Sequence, residues 1–298
     1  MMKIGVTGAT GFLGRYLVNR LLKAGHTCRC WYRPGSDRGE FLDAPDRLQW
    51  LPGKLCDDQA ATALVQGVDA VVHAALSSGD SATGNAQHNL AGSLQLMQAA
   101  RTGGVERFVF ISSCSVHEKI LDDRALDETH PLWPSSHYGA AKASVEKFVH
   151  SFALGEGWPV CALRPTGIYG LARPVERSSW YSLVQRVAAG NDVASAAGGK
   201  VVHAEDVAKA VLILLEADPK VICGQAYNCN DLYIADQDVA QIAKDLCAAT
   251  GQVEKNNHGP KHQIDTTKIK SLGMVFGGQA LLEQTVGQLI TQDQRDHH

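Results

Sequence analysis

The chain has 298 residues, 45% of them hydrophobic and 20% charged, with 28 Lys and Arg against 31 Asp and Glu. That is an ordinary globular composition, long enough to bury a sizeable core in one large domain or two smaller ones. A net charge of −3 offers no basic field for nucleic acid or an anionic membrane, and no apolar run reaches bilayer-spanning length.

The chain opens on Lys3-Ile4-Gly5-Val6-Thr7, an apolar strand so near Met1 that no signal peptide is expected ahead of the fold. It runs into Gly8-Ala9-Thr10-Gly11-Phe12-Leu13-Gly14. Glycine at 8, 11 and 14 frees the backbone to turn sharply and lets a ligand approach more closely than a Cβ permits. Apolar residues at helical spacing predict a helix over 15–24, stopped by Gly25. Its free N–H groups and partial positive charge face the turn, which suits a pyrophosphate.

Thr27-Cys28-Arg29-Cys30-Trp31-Tyr32 reads as a second strand, closed by Arg33-Pro34-Gly35-Ser36. In dinucleotide folds this strand end meets the adenosine ribose, where an acid holds the 2′-hydroxyl and an arginine accommodates a 2′-phosphate. Arg33, with Ser36 and Arg38 just beyond, favours NADP over NAD; the alternative is a solvated turn arginine. A third strand is expected over 48–51, an amphipathic helix over 57–65, and a continuously apolar fourth strand over 68–76, whose Ala74 and Ala75 let backbone pass close to a cofactor. A helix over 89–100, a fifth strand over 108–112, a helix from 138 to about 152 and a sixth strand over 160–163 follow. Strands alternating with helices predict an α/β fold, a Rossmann-type doubly wound parallel sheet.

Beyond residue 165 the order loosens, with helices expected over 180–189, 205–217, 236–250 and 279–290 and strands over 200–202 and 226–228. The dinucleotide-binding domain is therefore expected over 1–165, with returning segments near 200–230. Residues 166–298 mainly form a small, discontinuous substrate-binding lobe that shares strands with the sheet.

Tyr138-Gly139-Ala140-Ala141-Lys142 places a phenol and an ammonium four residues apart, on one helical face. A nearby cation favours the phenolate and lowers a pKa that is otherwise about 10. Tyr138 can then give a proton to a carbonyl oxygen as hydride arrives, or take one from an alcohol as hydride leaves. Ser113, at the end of the fifth strand, stands where it can polarise the same oxygen; Ser112 and Ser115 are rivals. The eight cysteines include no Cys-x-x-Cys and the twelve histidines no zinc spacing, so a reduced, cytoplasmic setting without a metal site is expected. His297 and His298 are candidates for vector remnants.

Thr7-Gly8-Ala9-Thr10-Gly11-Phe12-Leu13-Gly14, Ser113-Cys114-Ser115-Val116-His117 and the Tyr138 to Lys142 pair resemble the extended branch of the short-chain dehydrogenase/reductase superfamily, the NAD-dependent epimerase/dehydratase family. The resemblance continues through Leu163-Arg164-Pro165-Thr166-Gly167-Ile168-Tyr169-Gly170, Val202-His203-Ala204-Glu205-Asp206-Val207-Ala208 and Asp265-Thr266-Thr267-Lys268, nearly the whole chain. It selects Ser113 over its rivals and implies a catalytic Ser113, Tyr138 and Lys142. Cofactor contacts are implied from Gly8, Thr10, Gly11, Phe12, Leu13, Gly14, Arg33, Leu55, Ala74, Ala75, Tyr138, Lys142 and Pro165. Asn89 resembles the asparagine that braces the central sheet, and pairing of the helices containing Asn89 and Tyr138 into a homodimer is implied.

Several positions depart from the family's patterns, among them His117, which stands where the family usually has a tyrosine. Gly53-Lys54-Leu55 replaces the usual Gly-Asp-Leu, Cys114 and Ser115 stand where sugar dehydratases carry acids, and Gly167 stands where nucleotide-sugar epimerases carry an asparagine. The implied function is hydride transfer between NADP(H) and a small-molecule carbonyl or alcohol. The alternatives are a nucleotide-sugar epimerase with tightly bound NAD and a non-catalytic NADP(H)-binding redox sensor. Arg164 and the His203–Asp206 pair read as structural, while Trp180 and Tyr181 suit either a substrate wall or a core.

Overall fold

The computed structural model describes every residue except 40, 42, 43, 78–80, 196, 255–258, 297 and 298. The question of His297 and His298 lies outside the described residues. The main elements, in chain order, are β1 (Lys3–Thr7), α1 (Phe12–Lys23), β2 (Thr27–Tyr32), β3 (Leu48–Pro52), α2 (Asp58–Val65), β4 (Ala70–His73), α3 (Ala91–Thr102), β5 (Arg107–Ile111), α4 (His137–Glu156), β6 (Val160–Pro165), β7 (Gly167–Tyr169), α5 (Tyr181–Ala188), β8 (Gly198–His203), α6 (Ala204–Glu216), β9 (Ala226–Cys229), β10 (Leu232–Ala235), α7 (Asp236–Cys247) and α8 (Gly278–Asp296). The chain divides into two compact units, one of Met1–Pro165, Val207–Cys229 and Ile264–Met274, the other of Thr166–Asp206, Asn230–Gln263 and Val275–His298.

The first unit holds a seven-stranded parallel sheet in the order β3-β2-β1-β4-β5-β6-β9. Every residue of β4 is buried, as expected where helices cover both faces of a parallel sheet. Leu64, Leu96, Met97, Phe108, Phe110, Val145, Val149 and Trp158 belong to one core cluster there. The helices end where their caps dictate. Asp57 accepts from the Ala60 N–H and opens α2, Ser136 accepts from the Gly139 N–H and opens α4, and Gly157, at φ +66°, closes α4. The strand order reverses at β1, with β2 on one side and β4 on the other. Ligands of open α/β sheets bind outside the strand ends at such a point, here beyond Thr7 and His73.

The second unit has its own three-stranded sheet, β10-β8-β7, over a core that includes Tyr169, Val184, Val201, Ile234, Val239, Leu282, Val286 and Leu289. The strand around 200–202 pairs with β7 and β10, while β9 pairs with β6 and falls in the first unit. β7 and β10 have three and four residues, too short for a period-2 pattern to register. Trp180 and Tyr181 pack against this unit's core, with the Trp180 ring 5.3 Å from that of Tyr169.

Three boundaries also move. β4 ends at His73 rather than running to 76, α7 ends at Cys247 because Ala248 is left-handed at φ +51°, and α3 is preceded by a π-helical stretch, Asn85–Leu90. Among the described residues no helix is long and apolar enough to cross a membrane.

Candidate active site

The glycine turn is shaped by close backbone contacts. Gly8 sits at φ +73°, and a Cβ there would fall 2.6 Å from the Ala74 carbonyl oxygen. One on Gly14 would fall 2.0 Å from the Gly8 carbonyl oxygen, so α1 can lie this close to β1 only without a side chain. Gly11 donates to the Gly8 carbonyl at 3.0 Å and forms the N-cap of α1 with no side chain capping the first turn and no acid within it. The first N–H groups of α1, among them those of Phe12 and Leu13, therefore lack a side-chain cap, and this cradle fits a pyrophosphate.

A buried hydrogen-bond chain runs from this turn to the next strand. The Ser93 hydroxyl donates to the Asn89 carbonyl at 2.5 Å, so it accepts from His73 Nε2 at 2.9 Å. His73 Nδ1 must then accept from the Thr7 hydroxyl at 2.7 Å, and Thr7 Oγ1 accepts from the Ala75 N–H at 3.1 Å. Burial, helped by the charge of Lys142, lowers the His73 pKa to about 3, which keeps the ring neutral in this tautomer. Asn89 extends the brace. Its side chain accepts from the Ser77 N–H at 2.8 Å and donates to the Ser77 carbonyl at 3.2 Å. No residue spacing points to His73 or Ser93; both lie in runs that read as ordinary strand and helix.

Tyr138 and Lys142 line one narrow cavity with Ala75, Leu76, Asn89 and Phe110. Lys142 is buried and donates to the Ile111 carbonyl at 2.7 Å, with its ammonium 4.7 Å from the Phe110 ring centre and 5.7 Å from that of Tyr138. Burial lowers its pKa to about 8, against the opposing charge of Glu146. For Tyr138 the expected lowering of the pKa by Lys142 is corrected. Burial pushes the phenol up, and the opposing influence is a hydrogen bond from the Ser113 hydroxyl. The ammonium is engaged by a carbonyl and lies over the rings, so desolvation of the phenol outweighs it.

Behind this face lies a buried ion pair. Arg164 and Glu146 meet at 2.6 Å with side chains 3% and 2% exposed, and Ser112 donates to the same carboxylate at 2.5 Å. Ser112 is thus occupied in the core. Arg164 also donates to His117 Nε2 at 3.0 Å. Burial, first, and the Arg164 charge hold the His117 pKa down to about 4. In the second unit, His203 Nδ1 accepts from the Glu205 N–H at 3.0 Å and Asp206 from the Gly277 N–H at 2.9 Å.

The remaining candidates are spread around the strand ends. Arg33 is exposed after β2, Arg38 stacks over the Tyr32 ring at 4.4 Å, and Asp37 is held by Arg15 at 2.9 Å. Leu55 packs half-buried against the core, where a Cβ on Gly92 would come within 2.8 Å of it. Thr10 is half-buried in the turn, and Pro165 is buried at the end of β6. Ser113 and Pro165 are not among the residues that line the Tyr138 cavity.

Residues 4–229 match the model of the NAD dependent epimerase/dehydratase family. Over 179 residues the chain is 34% identical to a 3 beta-hydroxysteroid dehydrogenase/Delta 5-->4-isomerase of Mycobacterium tuberculosis, a match covering 56% of this chain and 47% of that protein; the chain thus spans about half the length of this relative. Two solved structures share the fold. The dTDP-glucose 4,6-dehydratase DesIV of Streptomyces venezuelae, solved with NAD bound, is 24% identical with a TM-score of 0.79 over 98% of this chain and 97% of that one. A UDP-glucose 4-epimerase of Thermotoga maritima is 21% identical with a TM-score of 0.80 over 100% of both chains. With the family model matching well over half of its length, the chain belongs to the NAD dependent epimerase/dehydratase family.

Proposed function

We propose that the chain is an oxidoreductase that moves hydride between NADP(H) and a carbonyl or alcohol, with Tyr138 as the acid and base. The observation that supports this most is a grouping of three: Tyr138 and Ser113, both half-buried, with the buried Lys142, whose ammonium lies 5.7 Å from the Tyr138 ring centre and which lines the same cavity as Tyr138. In this reading the glycine turn and the start of α1 hold the pyrophosphate, and Ala74 and Ala75 border the path of the nicotinamide half. A bound nicotinamide dinucleotide supplies or accepts the hydride. Ser113 donates a hydrogen bond to the reacting oxygen, and Tyr138 delivers or removes its proton. Lys142, buried on the same helical face as Tyr138, offers a donor to the nicotinamide ribose.

The preference for NADP rests on Arg33, which is exposed at the ribose end of β2, while the nearby carboxylate of Asp37 is tied to Arg15. The likeness to a hydroxysteroid dehydrogenase supports a ketone or alcohol of apolar character. Pairing of two copies through α3 and α4 belongs to the same reading. The second reading is a nucleotide-sugar epimerase, favoured by the likeness to solved epimerases. Gly167 argues against it, since the amide that would hold a substrate diphosphate is missing. Cys114 and Ser115 argue against dehydration, because neither side chain is a carboxylic acid.

Assay with NADPH and NADH across a panel of aldehydes and ketones separates the two. Net oxidation of added NADPH supports the reductase. Tightly held NAD that copurifies, with interconversion of UDP-sugars and no net redox change, supports the epimerase and overturns the first reading.

A further inference from the structure

Ser113 and Tyr138 come from segments separated by a loop, so bringing the two side chains to one site requires something to hold the two segments together. Ser113 opens a short turn, Cys114–His117, in which the Ser115 N–H donates to Ser113 Oγ at 3.1 Å. Tyr138 is the second residue of α4, whose N-cap is Ser136. Directly after the Ser113 turn comes Glu118, an exposed residue that no motif singles out.

Its carboxylate accepts four hydrogen bonds from two consecutive serines. Ser135 and Ser136 donate their hydroxyls at 2.9 and 2.8 Å, the Ser136 N–H donates at 2.7 Å, and the Ser135 N–H donates to the same oxygen as that one. The Ser136 hydroxyl simultaneously accepts from the Gly139 N–H at 3.0 Å. Glu118 thus fixes the rotamer of the cap that starts the helix carrying Tyr138. Against the upward push of burial, these hydrogen bonds hold its carboxyl below the usual carboxylate range, so the clasp is charged at neutral pH.

Two further contacts tie the same segments. Lys119 N–H donates to the Trp133 carbonyl at 2.9 Å. A Cβ on Gly139 would lie 2.5 Å from the Ser115 carbonyl oxygen, so the helix start rests directly on the Ser113 turn. The turn and the helix start form one clasped unit, and a surface carboxylate closes it.

We propose that Glu118 is a positioning residue for the hydride-transfer site: by clasping Ser135 and Ser136 to the turn that begins at Ser113, it sets the placement of the Tyr138 phenol relative to Ser113. The inference rests on the reading of Tyr138 as the acid and base. Glu118 touches neither Ser113 nor Tyr138 and acts through both segments.

The test compares wild type, Glu118→Ala, Glu118→Gln and Tyr138→Phe. One readout needs no substrate: the ultraviolet titration of the Tyr138 phenol, taken as the difference from Tyr138→Phe. In Glu118→Ala the midpoint is expected to rise by about one pH unit, the worth of one hydrogen bond to the charged form. With NADPH and a reducible aldehyde from the panel, kcat is expected to fall roughly ten-fold or more with KM little changed. Glu118→Gln, whose amide oxygen still accepts from a serine N–H, is expected to recover part of both. If Glu118→Ala does not fold, Glu118→Gln carries the test, with a smaller rise and fall expected. A wild-type midpoint and kcat in the variant that folds, whatever its melting temperature, overturn the inference. Undiminished turnover in Tyr138→Phe overturns the underlying reading instead.

Discussion

At the end of β1 the chain makes room by leaving side chains out, whereas around α4 it buries polar side chains and satisfies them. The glycines of the turn are fixed by close backbone contacts: Gly8 at φ +73°, Gly14 against the Gly8 carbonyl, Gly11 as an uncapped N-cap. The phenol site depends on side chains from many positions, among them Ser113, Lys142, Glu146 and Arg164. The first is tolerant of everything except added volume. The second is sensitive to every change of charge or hydrogen-bonding capacity, because a buried polar group that loses its partner pays no compensation elsewhere.

The largest expected effect lies on the polar side. Arg164→Met leaves the Glu146 carboxylate buried without its partner and should lower the unfolding free energy by about 3–5 kcal/mol. The double variant Arg164→Met, Glu146→Met should lose clearly less, as read by urea denaturation. A double loss equal to the sum of the singles would mean that the pair is not coupled. On the backbone side, Gly14→Ala should cost about 1–3 kcal/mol by overpacking. Gly11→Ala, whose Cβ would meet only the Gly8 carbonyl oxygen at 3.2 Å, should spare stability and weaken dinucleotide binding. Equal losses of stability in both would break the distinction drawn between the two glycines.

Acid sharpens the contrast, because the glycine turn carries nothing that titrates. His73, with a folded pKa of about 3, and His117, with one of about 4, lie well below the ordinary 6.5. In the window between these values the unfolded chain binds protons that the folded chain does not. Stability therefore falls as pH drops from 6.5 towards 4, by at most about 1.4 kcal/mol per pH unit for each histidine. Denaturant unfolding across that window should show the slope, and His117→Gln should reduce it. The smallest effect concerns the ribose end: Arg33→Asp should weaken NADPH about ten-fold, ~1.4 kcal/mol, and leave NADH nearly unchanged. An equal effect on both removes Arg33 from the 2′-phosphate site.

The same contrast explains what could be read from the residues alone. The parallel sheet and its helices follow from apolar runs between glycine breaks, and Gly8, Gly11 and Gly14 announce the turn because only their residue type permits it. The Tyr138–Lys142 pair was legible from its helical spacing, but the direction of the phenol's pKa was not, since burial and the engagement of Lys142 by the Ile111 carbonyl depend on packing across strands. His73, Ser93 and Glu118 share no pattern with the residues they serve, their partners lying 4 to 66 positions away. The three-stranded sheet of the second unit stayed hidden for another reason: strands of three and four residues carry too little periodicity to be told from loop.

The central claim is that the Tyr138 phenol carries the proton at the end of a dinucleotide cleft. Tyr138→Phe removes one oxygen and keeps the ring, so it isolates that oxygen from the packing around it. Turnover of NADPH with a carbonyl that wild type reduces should fall by roughly 10²–10⁴-fold, while NADPH affinity, followed by fluorescence titration, stays within a factor of about two. Wild-type turnover in the Phe variant, with dinucleotide still bound, would contradict the account.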